Sequence, residues 1–542
     1  MPLRLDSRSQ TPPPDDPSRP AFTIDRNDRA YVKQYANLYW LRLVVLRPRV
    51  LKNAKAKWTE AKGQSGGEER RWLCDVRRVE SRHVHQDGRA ELDVYNIMGV
   101  LSFDSPQHVP RMLDVKAGVQ CYIIGTVYMD MPLKPNVLED LAREHYIAAP
   151  PPRRKFCSVS DEIMLEDESG RVRLVGPAIE KAAGTFVTGK ASSFPKKRFQ
   201  LLERKRPTLI FERAGTIMAA LGKELPSGDF HVTDFCYAGL PPPAPITEDA
   251  GAMNVSDEGR PEEWVAIVSG LEMGDQDRTQ EMRRELLVEY LLGELGGNEL
   301  SEEAAKITRV ILAGNSMAQP EPIDDATTSH INGTTSTSTE KKPKRYGYDA
   351  SIYSAKPASA LDAWLEQILP SMNVDLMSGE SDPVAPTMPQ AKLHPAMLPL
   401  ASGYEGFKSR MNPSWFQIGH ANFLGTSGQT LDDIFKYLTS EDRLGVAVKT
   451  LEWSHIAPTC PDTLWCYPFS DRDPFILHST PQVYFISNQP QFETQLLEHP
   501  SPEAGGEPLR TRLILVPKFS HTGQVVLVNS RSLEVKVVGF EV

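Results

Sequence analysis

Cysteine is the first shortage. The 542 residues hold six, Cys74, Cys121, Cys157, Cys236, Cys460 and Cys466, and no two form a Cys-x-x-Cys pair. That spacing argues against a zinc or iron–sulfur site built from this chain's own thiols and reads as free thiols in a reducing compartment. Long apolar runs are also missing. None approaches the roughly 18 residues of a membrane span, so no membrane partner is expected. The opening stretch "MPLRLDSRSQTPPPDDPSRP" lacks the apolar centre of a secretory signal and reads as a disordered tail over 1–20. Basic excess is absent as well. Lys plus Arg number 61 against 71 Asp plus Glu, a net charge of -10, which excludes a general nucleic-acid binder by composition and leaves DNA contact weak or indirect. What is present is ordinary globular material, 40% hydrophobic and 24% charged, long enough for two or more domains.

Periodicity divides the chain. Residues 21–50 contain "DRAYVKQYANLYWLRLVVLRPRV", with Tyr31, Tyr35, Leu38, Arg42 and Val45 at steps of three or four. This predicts a helix capped by Asp28, packed on the body of the protein, and ended or kinked by Pro48. Arg42 interrupts its apolar stripe. Residues 51–240 are rich in strand signals: "RRWLCDVRR", "ELDVYNIMGVLSF", "VQCYIIGTVYMDM", then a short helix opened by Asn136 in "NVLEDLAREHYIA". The hairpin "DEIMLEDESGRVRLVG" turns at Glu168-Ser169-Gly170, and "ERAGTIMAALGKE" and "GDFHVTDFCYAG" follow. Three strands, a helix and further strands is the order of an OB-fold barrel. A Pro-rich, acidic linker over 241–262 then separates a second domain, 263–542.

There the pattern changes to buried strand, helix, buried strand, helix, buried strand: "EEWVAIVSGLEMG", "TQEMRRELLVEYLLGEL", "ITRVILAGNSM", "SALDAWLEQILPS", "NVDLMSGESDP". This implies βαβ crossovers and a largely parallel sheet. The fold class expected is therefore α/β plus all-β. An insertion at about 320–357 is Ser/Thr-rich and reads as disordered. Its "KKPKR", Lys341 to Arg345, reads either as a nuclear-import signal or as a solvated charge cluster. The last third, "RLILVPKFSHTGQVVLVNSRSLEVKVVGFEV", reads as short strands able to add a second sheet.

In open α/β sheets the functional groups gather at the carboxyl ends of the strands. Those ends read Ser269-Gly270-Leu271, Gly314-Asn315-Ser316-Met317, Gly379-Glu380-Ser381-Asp382 and Ser487-Asn488-Gln489-Pro490. Their order resembles the calcineurin-like metallophosphoesterases, a β-sandwich with flanking helices, whose strand ends read Asp-x-His, Gly-Asp-x-x-Asp, Gly-Asn-His-Asp/Glu and Gly-His-x-His. The resemblance places metal-ligand positions on Ser269, Leu271, Asn315, Glu380, Ser381, Asn488 and Pro490. It also places Ser427, before Gly428 and "QTLDDI", where relatives carry His. Leucine and proline cannot ligate, and Ser and Asn do not offset the repulsion of two divalent cations. Only Glu380 and Asp382 remain as acids. His394, His420, His455 and His478 lie elsewhere, with His420 and His455 able to approach the sheet end. No catalytic residue, metal or cofactor is expected.

Longer stretches narrow the resemblance. "LPSMNVDLMSGESDP", "MPQAKLHPAMLP", "MNPSWFQIGHANFLGTSGQTLDDI", "SHIAPTCPDTLWCYPFSDRDPFIL" and "PQVYFISNQP", with "KQYANLYWLRLVVLRP" upstream, are similar to the small (B) subunit family of eukaryotic DNA polymerase delta. The resemblance implies a nuclear, non-catalytic adaptor. It would hold the cysteine-rich C-terminal module of the polymerase catalytic subunit and a third subunit that leads indirectly to the sliding clamp, and it can serve polymerase zeta. Trp465, Tyr467, Phe469 and Phe475, with Asp471 and Asp473, are read as partner-binding residues, or as core and turn residues. Two rivals stand beside this: a metal-dependent phosphodiesterase or nuclease with divergent ligands, and a single-strand binder using Tyr95, Phe103, Tyr122 and Tyr128 on the barrel. The basic loop at 190–207, with Lys196, Lys197, Arg198, Arg204, Lys205 and Arg206, is read as a solvated insertion or a graze against duplex DNA.

Overall fold

A computed structural model describes residues 22, 36–60, 106–134, 153–182, 215–243, 263–274, 277–319, 354–419, 421–499 and 508–542. The N-terminal tail, Tyr31, Tyr35, Asp28, Tyr95, Phe103, the Asn136 helix, the 190–207 loop, the Lys341–Arg345 run and His420 lie outside the described residues.

The first domain is a barrel. Strands β1 (Gln107–His108), β2 (Cys121–Asp130), β3 (Glu162–Glu166), β4 (Arg171–Val175), β5 (Ile217–Glu224) and β6 (Phe230–Tyr237) are ordered β1-β2-β3-β4-β6-β5, and β5 pairs back to β2. The closing pairs are antiparallel except β4 with β6. This is the five-stranded closed OB arrangement, with the short helix α2 (Pro177–Ala182) after the third barrel strand. Strand β2 is apolar on both faces for a reason. Cys121, Ile123, Val127 and Met129 fill the barrel, whereas Tyr122 and Ile124 meet helix α1 (Ala36–Lys55).

Helix α1 does not stop at Pro48. It continues to Lys55 because Pro48 faces solvent while Leu43, Leu46, Val50 and Ala54 are held on the barrel. A π-helical turn, Ala56–Glu60, then brings Trp58 round onto the barrel. Trp58 lies 5.3 Å from the Tyr122 ring, and its indole N–H donates to Asp234 at 2.7 Å.

The second domain is a sandwich flanked by helices. Its elements are β7 (Trp264–Val268), α3 (Arg278–Leu292), α4 (Asn298–Ala305), β8 (Ile307–Ala313), α5 (Lys356–Ile368), β9 (Asn373–Met377), β10 (Phe407–Arg410), β11 (Ser414–Ile418), β12 (Ala421–Thr426), α6 (Gln429–Ile434), α7 (Arg443–Glu452), β13 (Val483–Gln489), β14 (Glu493–His499), β15 (Leu509–Pro517), α8 (Phe519–Thr522), β16 (Gln524–Asn529) and β17 (Val535–Gly539). One sheet runs β10-β9-β8-β7-β16-β17 and the other β11-β12-β13-β15-β14. The C-terminal strands expected to add a second sheet are divided. β15 joins it, whereas β16 and β17 extend the first sheet antiparallel beside β7. Helix α5 starts at Lys356, two residues inside the expected insertion. Residues alternate between layers. Val265, Ile267, Ile311 and Met377 meet Phe416, Phe423, Phe485 and Ile514 between the sheets, while Ala266, Val268, Val310 and Leu376 pack under α3 and α5.

The outer face of the second sheet, through α6 and α7, shares one continuous core with the barrel. Arg42 pins this junction. Buried to 1% exposure, it reaches from α1 into the sandwich domain. Its Nε bonds Asp473 Oδ2 at 3.0 Å, and its two terminal nitrogens donate to the Pro458 and Cys460 carbonyls at 3.0 Å each. The same Asp473 oxygen meets His455 Nε2 at 2.9 Å, and His455 Nδ1 accepts from the Ala457 amide at 3.2 Å. That second bond assigns the proton to Nε2, so the imidazole is neutral. Burial and then Arg42 push His455 down to about 4. Burial would raise Asp473, but His455 and Arg42 outweigh it and hold the carboxyl below its ordinary range. With His455 neutral, Arg42 is the cation that balances Asp473. Lys134 paired with Asp462, which also accepts from Tyr437 Oη at 2.9 Å, is a second tie between the domains.

Removing one partner of a buried pair strands the other charge. Arg42→Met should therefore lower the unfolding free energy by about 3–5 kcal/mol in urea titrations. The double variant Arg42→Met/Asp473→Leu should recover most of that loss. Equal losses in single and double variants would contradict the pairing.

Candidate functional site

The carboxyl ends of β7, β8, β9, β12 and β13 converge, as the sequence positions required. Backbones approach so closely there that side chains are excluded. A Cβ on Gly379 would stand 2.2 Å from the Asn315 nitrogen. Asn315 and Asn488 occupy left-handed backbone, at φ 54 and 57, which asparagine tolerates better than most side chains.

Asp382 is the centre of this cluster. It is 4% exposed, and each carboxylate oxygen accepts a backbone amide: Oδ1 from Met317 at 2.9 Å and Oδ2 from Gly379 at 2.8 Å. Burial pushes its pKa up to about 6, and the backbone amides of Met317, Gly379, Asn315 and Ser316 hold it back. Around it, the Ser381 amide donates to Asn315 Oδ1 at 3.1 Å and Ser381 Oγ donates to the Met317 carbonyl at 2.6 Å. Ser269 Oγ donates to the Pro517 carbonyl at 3.1 Å and accepts from the Asn488 amide at 3.0 Å. Asn488 Nδ2 donates to the Ser427 carbonyl at 2.9 Å.

A neighbouring amide cluster was not legible in the sequence. Asn412 Nδ2, with two hydrogens to share, lies 2.8 Å from Gln390 Oε1, 2.6 Å from Ser427 Oγ and 2.9 Å from Gln429 Oε1. Gln429 Nε2 returns to Gln390 Oε1 at 2.9 Å, and Gln390 Nε2 reaches the Gly379 carbonyl at 3.2 Å. A single sequence carries no signal for such pairing, because each member comes from a different segment.

These residues do not fit a dinuclear metal. Leu271 lies in the apolar core, Pro490 is exposed, and Glu380 faces outward, away from the buried Asp382. The oxygens of Asp382 and Ser269 already serve backbone groups. Asn488 Oδ1, a neutral acceptor, is a buried side-chain oxygen at these positions with no partner among the described residues. Cations at the rim are also engaged: Lys518 pairs with Glu272 at 2.8 Å, and Arg443 with Asp432 at 2.6 Å. His455, expected to approach the sheet end, instead serves the domain junction.

The residues read as partner-binding separate by burial. Tyr467, Phe469 and Phe475 are core side chains, at 5%, 4% and 0% exposure, and Asp473 is consumed by Arg42. Their apolar run among prolines was core, the other half of the expectation. Trp465, at 66% exposure, and Asp471 remain on the surface. Met388 pins the Trp465 loop by pairing with it on both sides, at 2.8 and 2.9 Å. On the barrel, Tyr122 and Tyr128 are not open stacking platforms. Trp58 covers the first, and the Arg171 guanidinium lies 4.0 Å over the second.

Asp382→Ala strips the acceptors from two buried amides and should cost about 1–3 kcal/mol, with faster hydrogen exchange at Met317 and Gly379. Glu380→Ala, at an exposed position, should stay within about 0.5 kcal/mol of wild type. The pH dependence has a defined sign. Below His455's ordinary value of 6.5 the unfolded chain takes a proton that the folded imidazole refuses until about 4, so its contribution is lost as pH falls. Asp382, raised in the folded state, works in the opposite direction below about 6. The stability difference between wild type and His455→Gln isolates the histidine. It should move against the wild type by about 1.4 kcal/mol per pH unit within that window.

Comparison with known proteins covers both domains. The family model for the DNA polymerase alpha/epsilon B subunit matches residues 265–494, and that for the DNA polymerase delta subunit OB-fold domain matches residues 34–194. The chain is 35% identical to the DNA polymerase delta small subunit of Arabidopsis thaliana, over 80% of this chain and 85% of the relative. It is 34% identical to that of Oryza sativa subsp. japonica, over 82% and 90%. The small subunit of Saccharomyces cerevisiae is 28% identical over 96% and 92%. An OB barrel fused through a buried arginine to a sandwich with a filled sheet end, and this breadth of identity, have one conclusion: the chain belongs to the DNA polymerase delta small-subunit family.

Proposed function

We propose that this chain is the non-catalytic small subunit of DNA polymerase delta in the nucleus, with a sandwich domain that descends from a metallophosphoesterase and no longer performs hydrolysis. The observation that carries this is the state of the ligand positions: Leu271 lies in the apolar core, Pro490 has no donor atom, and the Ser269 and Ser381 hydroxyls donate to backbone carbonyls. The barrel and sandwich share a core and two charged ties, which suits a rigid adaptor between larger chains. Its partners under this reading are the cysteine-rich C-terminal module of the catalytic subunit, a third subunit and, through that subunit, the sliding clamp. Polymerase zeta is a further host. Trp465, exposed on a pinned loop, is a candidate anchor for one of them.

Affinity purification of the tagged chain from its native source should bring down a large polymerase chain in stoichiometric amount. The purified subunit should hold less than about one tenth of an equivalent of manganese or zinc and should not cleave phosphodiesters. Stoichiometric paired metal with turnover abolished by Asp382→Ala would restore the phosphoesterase reading.

A further inference from the structure

Helix α1 has a second face. Its buried arc carries Leu43, Leu46, Val50 and Ala54, and the opposite arc carries Trp40, Val44, Pro48, Lys52 and Lys55. At 3.6 residues per turn the latter five fall within roughly a third of the circumference. Trp40 is 55% exposed and Val44 43%, and half-buried Leu41, Val45 and Leu51 flank them. Trp58 stands about five full turns beyond Trp40 and would continue this arc in an unbroken α-helix. The π-helical turn withdraws it onto Tyr122, so the exposed ridge ends in lysines rather than in another indole.

Two observations say what the ridge would take. Lys52 and Lys55 are exposed and make no ion pair among the described residues, on a chain whose net charge is -10. Pro48 has no N–H, so the Val44 carbonyl lacks its helical donor, in the middle of the apolar strip. A complementary surface therefore needs apolar side chains that fit around the proline ring and, toward one end, carboxylates.

We propose that the outward face of α1 is a docking ridge for an acidic amphipathic helix of another polypeptide. Its apolar positions, three or four residues apart, straddle Trp40 and Val44, and its acids reach Lys52 and Lys55. This deepens the subunit reading, and rests on it, by placing one intermolecular contact of the assembly on α1. Because the inner face is locked by Arg42, the ridge is presented on a rigid support and loses little entropy on binding.

The test places a benzophenone amino acid at Val44 in the full-length chain, expressed in its native source, irradiates the purified assembly and maps crosslinks by mass spectrometry. Expected are crosslinks to a segment of a different chain with apolar residues three or four apart and interleaved acids. Lys52→Glu/Lys55→Glu should lower that yield about tenfold or more while the urea midpoint falls only slightly, as expected for charges in the last turn of a helix. Crosslinks within this chain, to a second copy, to a basic or extended segment or to nucleic acid would overturn the proposal, as would no crosslink or a yield indifferent to charge reversal. Whether a polymerase chain is present in the unirradiated assembly scores the subunit reading separately from where the crosslinks fall.

Discussion

A buried guanidinium, with the Lys134–Asp462 pair beside it, fixes how the two domains sit. Arg42 leaves a barrel-bound helix, crosses the boundary and satisfies a carboxylate and two carbonyls of the sandwich. None of those acceptors can find water there, and neither can the arginine, so each is costly without the other. Apolar packing is non-directional, so the orientation of barrel on sandwich is set by polar bonds across the boundary, among them those from the Phe156 and Gly239 amides to the Lys436 and Glu452 carbonyls. The planar fork of the arginine, with three bonds at 3.0 Å, fixes one orientation. Neutral His455 completes the arrangement by donating to Asp473 without adding a second buried positive charge.

The same economy governs the sheet end. A fold that gathers strand termini at one point also gathers unpaired backbone amides, which attract an anion. Here Asp382 turns inward and is bound by the amides of the adjoining strand ends, and the Gln390, Asn412, Ser427 and Gln429 side chains bond to one another. The ends of β8, β9 and β12 are tied together there by a buried carboxylate and a polar network.

Much of this was legible in the order of residues. The barrel strands from Cys121 onward, the buried β7, β8 and β9, and the helices between them follow from apolar runs and their punctuation. The strand-end positions of the site followed from the general habit of α/β sheets. Beside the amide cluster around Asn412, three things were not legible. Arg42 registered as a flaw in an apolar stripe, because periodicity reports which face is buried and not what that face meets. Tyr467, Phe469 and Phe475 read equally as anchors or core, since an aromatic among prolines has the same local signature on either side of a surface. Pro48 was expected to break a helix that tertiary packing on the inner side holds together. Each miss is a case where a long-range contact overrides a local rule.

The two faces of α1 show why an adaptor would keep such a helix. A surface that binds a partner must be apolar enough to gain from burial and rigid enough not to spend that gain on ordering. An isolated helix of this length carrying a mid-helix proline would be poorly formed in water. Locked to the barrel by Leu43, Leu46, Val50 and Trp58 and to the sandwich by Arg42, it presents Trp40 and Val44 at fixed spacing. The proline then removes only a hydrogen bond on the solvent side. Stability on the inner face and adhesion on the outer face are thus consequences of the same buried arginine.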